Sequence, residues 1–386
     1  MMDSNTSYRL RPTWVEISPQ AIAHNVRRLK QIIGTRVALM AVVKADGYGH
    51  GAITVARAAL ANGASYLAVA NLEEAIILRE AGIRAPILIL SYTPIEAVSL
   101  AITHDLTLTV YDAALAEAYH QQAQQAQQPL RVHLKIDTGM GRLGLLPASL
   151  STTFASFTHL DFEGVYTHFS VADENAAFTA EQVQVFRRQV DALRARGMIF
   201  RYVHAANSAG TLTSPDNHFD LVRVGLALYG LSPSNVVPAP PDFIPAMTWK
   251  SLIASVKTLP AGHTIGYGNT YITQRESRIA VIPVGYADGL RRAPTHQGEV
   301  LVRGQRAPIV GRVSMEKTII DVSHIADVNI GDEVVLLGAQ DDERISAEEI
   351  GRKLGTINYE VVCSILPRVP RVPEDTGATM SRNDWA

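Results

Sequence analysis

From about residue 37 onward, short apolar runs rich in β-branched residues alternate with longer stretches whose apolar positions recur at helical spacing. The runs are Val37 to Val43, Tyr66 to Ala70, Pro86 to Leu90, Leu106 to Val110, Leu130 to Ile136, Phe162 to Tyr166, Arg201 to His204 and Leu221 to Val224. Each has the length of a buried strand. The stretches between them, such as AITVARAALANGA, LEEAIILREAGI, PIEAVSLAITHD and AALAEAYHQQAQQAQQ, are built from strong helix formers. Eight strand-then-helix repeats predict a parallel (β/α)8 barrel.

The texture changes after Gly230. SPSNVVPAPPDFIP is rich in Pro and Ser and has no apolar period, as in a linker. Beyond it, SLIASVKTLPAG, RIAVIPVGYADG, EVLVRGQRAPIVGRV, TIIDV and DEVVLLG read as strands cut short by Gly and Pro, with one helix-like stretch, SAEEIGRKLG. We therefore expect an α/β plus β chain: a (β/α)8 TIM barrel over 12–240, then a mostly antiparallel β domain, barrel-like or sandwich-like, over 241–375. The polar opening MMDSNTSYRLRP should form a short flexible lead before order begins at Trp14.

Composition narrows the function classes. Of the 386 residues, 47% are hydrophobic and 19% charged, which suits a folded globular chain and not a disordered one. The 35 basic and 37 acidic residues give a net charge of -2, so no broad cationic field exists to gather nucleic acid. The first fourteen residues lack an apolar signal core, and no run reaches the roughly 18 apolar residues of a membrane helix. A cytoplasmic protein with neither nucleic acid nor membrane as partner is the expectation. Cys363 lies in the apolar run Val361 to Leu366, read here as a core strand holding an inert buried thiol.

Polar residues stand where the apolar runs end: Lys44, Asn71, Ser91, Lys135, Asp137, His168, Asn207 and Arg223. In a barrel of this kind those ends form the catalytic mouth. Lys44, in AVVKADGYGHG, ends a buried strand, where an ammonium is costly unless paired or deprotonated. A desolvated lysine suits Schiff-base chemistry, whereas a lysine reaching out to an ordinary ion pair would carry none.

AVVKADGYGHG resembles the pyridoxal-phosphate lysine motif of alanine racemases. KIDTGMGRLG, THFSVAD, HAANSAG, RVGLALYG, GYGNTY, VGYADG, GRVSME and INYEVVCSILPRVPR follow in the family's order, so the resemblance spans about residues 12 to 372. It implies a fold-type III isomerase that interconverts L- and D-alanine for the cell wall peptidoglycan, with pyridoxal 5'-phosphate as cofactor and a homodimer whose active sites are shared. By the same resemblance, Lys44 carries the cofactor and is the base on one face of the substrate. Tyr267, from the partner subunit, serves the other. A phenol titrates near pH 10 in water and needs neighbouring cations or hydrogen bonds to act as a base; His168 and Arg223 match the family's supporting pair. Arg223 would also face the cofactor's ring nitrogen and, as a donor that stays protonated, limit charge spreading into the ring. Tyr48, Ser208, the backbone at Gly225 and Leu226, and Tyr359 match the phosphate-binding positions. Arg142 and the Met315 N–H match the substrate-carboxylate site, and Lys135 matches a lysine that many members carry as a carbamate beside that arginine.

One departure stands out, because family members usually read Met-Asp-Gln where this chain has Met315, Glu316 and Lys317. The change falls near the expected substrate entrance. By the same resemblance Tyr359 is a bulky lid residue, which favours alanine over serine. Two other readings remain: a decarboxylase of the same architecture, which resembles the chain less around Lys44 and Tyr267, and a single-barrel pyridoxal-phosphate binding protein, which needs neither the β domain nor Tyr267. His50, His104, His133, His204 and His263 show no metal-site spacing and read as structural or surface residues, and QQAQQAQQ reads as a polar helix face.

Overall fold

The computed structural model describes residues 11–149, 152–292 and 298–374. These fall into two compact units, one of Gln20–Ile244 and the other combining the described residues up to Pro19 with those from Pro245. The polar lead expected before Trp14 lies largely outside the described residues. Order begins with β1, Thr13–Ile17. Expected at the barrel's start, β1 instead pairs within the second unit; the cross-strand partners that decide this lie more than 200 residues downstream and leave no local signature.

In the first unit, β2 (Ala38–Val42), β3 (Tyr66–Val69), β4 (Ile87–Ile89), β5 (Leu108–Val110), β6 (Leu130–Lys135), β7 (Leu160–Tyr166), β8 (Tyr202–His204) and β9 (Leu221–Val224) coincide with the eight apolar runs. They form one parallel sheet in the order β4-β3-β2-β9-β8-β7-β6-β5. A parallel bridge between Leu88 and Thr107 joins its two edges and closes the barrel. The strands are nearly continuous buried runs, as parallel strands covered on both sides must be.

The surrounding helices follow from period and caps. Pro19–Ile33 buries Ala21, Ile22, Val26, Leu29 and Ile33 on one face. Asn71, Asp112 and Asn175 cap the helices Leu72–Glu80, Ala113–Gln125 and Ala176–Ala195 by accepting backbone N–H bonds. Asn71 and Asn207, expected at the mouth as candidate chemistry, thus commit their side chains to helix starts.

The second unit is mostly antiparallel. Its larger sheet contains β10 (Met247–Leu252), β15 (Glu299–Val302), β16 (Gln305–Pro308), β18 (Glu333–Gln340), β19 (Glu343–Ile345) and β20 (Arg371–Pro373), together with β1. A second sheet joins β11 (Ser255–Leu259), β14 (Ser277–Ile282) and β17 (Thr318–Asp321), and β12 (Thr264–Ile265) pairs with β13 (Tyr271–Ile272) as a short hairpin. The SAEEIGRKLG stretch is the helix Ala347–Leu354, capped by Ser346. A second helix, Asn358–Cys363, replaces the strand expected there, and Cys363 is exposed on it. Val361, Val362 and Ile365 are buried, one helical face, while the thiol lies off that face.

Candidate active site

Lys44 lies one residue past β2, after Val43, and opens an unusual turn. Ala45, Asp46, Gly47 and Tyr48 all have positive φ, between 51° and 62°, so the chain makes a left-handed turn in which three residues are not glycine. Side chains from nearby hold it. Glu74 accepts from the N–H groups of Ala45 and Ala70, both at 2.7 Å, and Asp46 accepts from Ala52 N–H at 2.8 Å. Nothing in the local sequence around Glu74 marks it for this role.

The turn sets Tyr48 against β9. A Cβ on Gly225 would sit 2.5 Å from Tyr48 Oη, so glycine there lets the phenol hydroxyl reach the backbone. Ser208, buried at the first position of the helix Ser208–Thr213, accepts from the N–H groups of Gly225 at 3.1 Å and Ala227 at 3.3 Å. Tyr48 and Ser208 thus both bring a hydroxyl to the backbone at Gly225, just past the end of β9, with Leu226 next in the chain.

Arg223 is 3% exposed and held by hydrogen bonds from both terminal nitrogens. Its Nη1 donates to His204 Nδ1 at 2.9 Å, and Nη2 serves Thr167 O at 2.8 Å, Ala205 O at 3.0 Å and His168 Nδ1 at 3.1 Å. Burial lowers its pKa to about 10, which still leaves it protonated at neutral pH. Its guanidinium carbon lies 5.0 Å from the Tyr166 ring centroid, and Lys135 Nζ lies 5.4 Å from the same ring.

Lys135 ends β6, almost fully buried. Burial, and then the positive charges of Arg223 and Arg142, lower its amine to about 8. His168 is held well below the ordinary imidazole range by burial first and then by Arg223, Lys135, Arg142 and Lys44. It is neutral, and because Arg223 can only donate, His168 Nδ1 is the acceptor and its proton sits on Nε2. Asp137 organises the following turn, accepting from Gly139, Met140 and Arg142 N–H groups at 2.8 to 3.1 Å. Burial alone would raise this carboxyl; the N–H bonds outweigh it and hold it below the usual range. Lys44, Lys135, Arg142 and Arg223 therefore gather around a neutral imidazole, a charge excess that favours anions.

The remaining predicted residues belong to the second unit. Tyr267 is 68% exposed on the turn between β12 and β13, and Met315 is 55% exposed. Met315 is fixed by its backbone, since its carbonyl accepts from Ala287 N–H at 2.9 Å and Ser314 O accepts from Tyr286 N–H. Glu316 pairs with Arg368 at 2.9 Å, and this bond holds its carboxyl below the usual range. Tyr359 is half-buried in the helix Asn358–Cys363.

Two histidines read as structural are part of this site. His204 contacts Arg223 directly and stacks on Tyr166 with ring centroids 4.9 Å apart, and His133 lies 2.9 Å behind it. The available signal was a polar residue at every second position of an apolar strand, His133 and Lys135 in LRVHLK.

The family models for the alanine racemase N-terminal and C-terminal domains match residues 17–233 and 246–373. The chain is 44% identical over 366 residues to an alanine racemase of Desulfovibrio desulfuricans, covering 94% of this chain and 98% of that one. It is 41% identical over 367 residues to an alanine racemase of Methanococcus maripaludis, covering 94% and 98%. A Bacillus anthracis alanine racemase solved with bound L-Ala-P superposes with a TM-score of 0.90 at 40% identity, covering 96% of this chain and 97% of that one. The Streptomyces coelicolor enzyme gives 0.90 at 38% identity, covering 97% and 100%. The chain belongs to the alanine racemase family.

Proposed function

We propose that this chain interconverts L- and D-alanine by a two-base mechanism with pyridoxal 5'-phosphate, supplying D-alanine for peptidoglycan in the cytoplasm. The observation that carries the reading is the cluster at the barrel mouth, where Lys44 stands within electrostatic reach of His168 and Lys135. The residues fit the cofactor: a strand-end amine at Lys44, hydroxyl and N–H donors from Tyr48, Ser208, Gly225 and Leu226, and in Arg223 a buried guanidinium, donor only, suited to a ring nitrogen. When bound, the cofactor supplies the electron sink that makes the substrate's Cα–H acidic.

The chain's own groups do the rest. Inversion needs a proton acceptor on each face of Cα, and Lys44 Nζ and Tyr267 Oη take those places. Neutral His168 presents Nε2–H as a donor that stabilises a phenolate, and Arg223 fixes that tautomer from behind. Arg142 forks the substrate carboxylate. Lys135, whose amine at about 8 is partly neutral at physiological pH, is suited to take up CO2 as a carbamate, which would replace a like charge near Arg142 with an opposite one.

Tyr267 is exposed on a turn that also shows Ile272, with Tyr286, Met315 and Leu366 exposed on neighbouring turns. An uncovered apolar face bearing a catalytic group fits a homodimer in which each Tyr267 completes the partner's site. The test is incubation of the cofactor-loaded protein with L-alanine in heavy water, resolving products by chirality and deuterium. Deuterated D-alanine supports the reading. Exchange confined to L-alanine removes Tyr267 from its role, and no exchange overturns the racemase.

A further inference from the structure

Barrel interiors are ordinarily filled by branched apolar side chains. Here a line of titratable groups runs through the interior. Behind Arg223, His204 Nε2 lies 2.9 Å from His133 Nδ1, and His133 Nε2 lies 3.4 Å from Glu163 Oε2. Tyr66 Oη donates to the same carboxylate oxygen at 3.0 Å. The strands involved, β9, β8, β6, β7 and β3, are not all neighbours: β6 and β8 are separated by β7, and β3 and β7 by three strands. These contacts therefore form only through the closed barrel's interior.

The donors and acceptors dictate one direction. A guanidinium has no acceptor, so His204 Nδ1 must accept and its proton must sit on Nε2. That proton points at His133 Nδ1, which must accept in turn and carry its own proton on Nε2. The carboxylate of Glu163, an acceptor, receives it. Both histidines are fully buried and neutral: burial lowers His133, and burial with Arg223 and His133 lowers His204 further. Glu163 would be raised by burial, but the bond from His133 and then Tyr66 and Arg131 keep it ionised. The backbone is shaped for the arrangement, because a Cβ on Gly164 would lie 2.7 Å from the His133 ring.

We propose that His133 and Glu163 are positioning residues for the racemase reaction: their proton order fixes the His204 tautomer, and that tautomer holds the Arg223 guanidinium in one orientation at the mouth. This rests on the reading of Arg223 as the cation facing the cofactor. With the relay broken, His204 can rotate its proton onto Nδ1, where it opposes an Arg223 N–H and pushes the guanidinium off its axis.

The experiment combines histidine-selective 15N NMR on the full-length, cofactor-loaded protein with steady-state kinetics of three variants. The wild-type spectrum is expected to show both His133 and His204 as Nε2–H tautomers. His133→Leu and Glu163→Leu are expected to populate the Nδ1–H form of His204 and lower kcat about tenfold with little change in KM, the scale of partners that orient a functional histidine from behind. His133→Asn is the discriminating case. Its amide oxygen can accept where Nδ1 did, so it should restore the Nε2–H form of His204 and recover most of the lost kcat. A wild-type spectrum with the proton on His204 Nδ1 overturns the relay even if no variant folds. So does a His133→Asn protein, folded like wild type, that is no better than His133→Leu. A wild-type chain with the stated tautomers but no racemisation would uphold the relay and overturn the reading of the site it serves.

Discussion

The interior of the barrel and the core of the β unit solve opposite problems. In the barrel, Lys135, His133, His204, Arg223 and Tyr166 are all at most 6% exposed, and every one is a titratable group. In the β unit, Leu301, Val335 and Ile345 make a small apolar cluster, and charges stay near the surface, as where Arg306 meets Glu299, Glu343 and Glu349 while about a third exposed. Among the described residues Asp288 is the β unit's exception, fully buried and bonded to Arg11 and to Gly285 N–H. One region spends its burial on shifting pKa values and fixing tautomers; the other uses it for cohesion and presents Tyr267 and Met315 outward on turns. Chemistry that the barrel builds inside, the β unit displays for completion elsewhere.

The sharpest way to break the comparison is Lys44→Ala. Losing the strand-end amine should lower racemisation by at least about 10³-fold, measured by chiral chromatography, while the urea midpoint stays near wild type. Leu301→Ala is the converse case. It should cost about 3 kcal/mol of unfolding free energy through cavity formation and leave kcat of the folded fraction unchanged.

Lys135 gives a pH test of intermediate size. Its folded amine titrates at about 8 and its unfolded form at 10.5. Below about 8 both states are protonated and the folded state carries the whole burial penalty. Between about 8 and 10.5 the unfolded chain binds more protons, so stability rises with pH across that window. In CO2-free buffer, the difference in unfolding free energy between wild type and Lys135→Met should shift toward wild type as pH climbs through it; a constant difference would show that this amine is not buried as described. Arg306→Ala should have the smallest effect, about 1 kcal/mol or less by urea titration, because exposed ion pairs are weakened by water and salt.

The eight barrel strands were legible because parallel strands buried on both faces write themselves as unbroken β-branched runs. Lys44, Lys135, His168 and Arg223 were legible as polar residues ending such runs. Cys363 was misread because a six-residue apolar run fits a strand and a buried helix equally, and only the positions of Val361, Val362 and Ile365 in the fold decide between them. His133, His204 and Glu163 escaped for a different reason. Their meaning lies in partners on non-adjacent strands, brought together when the sheet closes, and no local spacing encodes that closure. Glu74 is similar, a helix residue whose role is to clasp the turn after β2.

That turn has a mechanical consequence. Each non-glycine residue wound left-handed costs about 1–2 kcal/mol, so Ala45, Asp46 and Tyr48 together load the segment like a wound spring, latched by Glu74 and Asp46. Local opening releases the load. The amide hydrogens of Gly47 and Gly49, though bonded to Val43 O and Ala45 O, should therefore escape to solvent through fluctuations smaller than those that open the helix Ala52–Ala61. Lys44 thus sits between two unlike holds, the ladder of β2 on one side and, on the other, a loaded turn whose first link is the Glu74 clasp on Ala45 N–H.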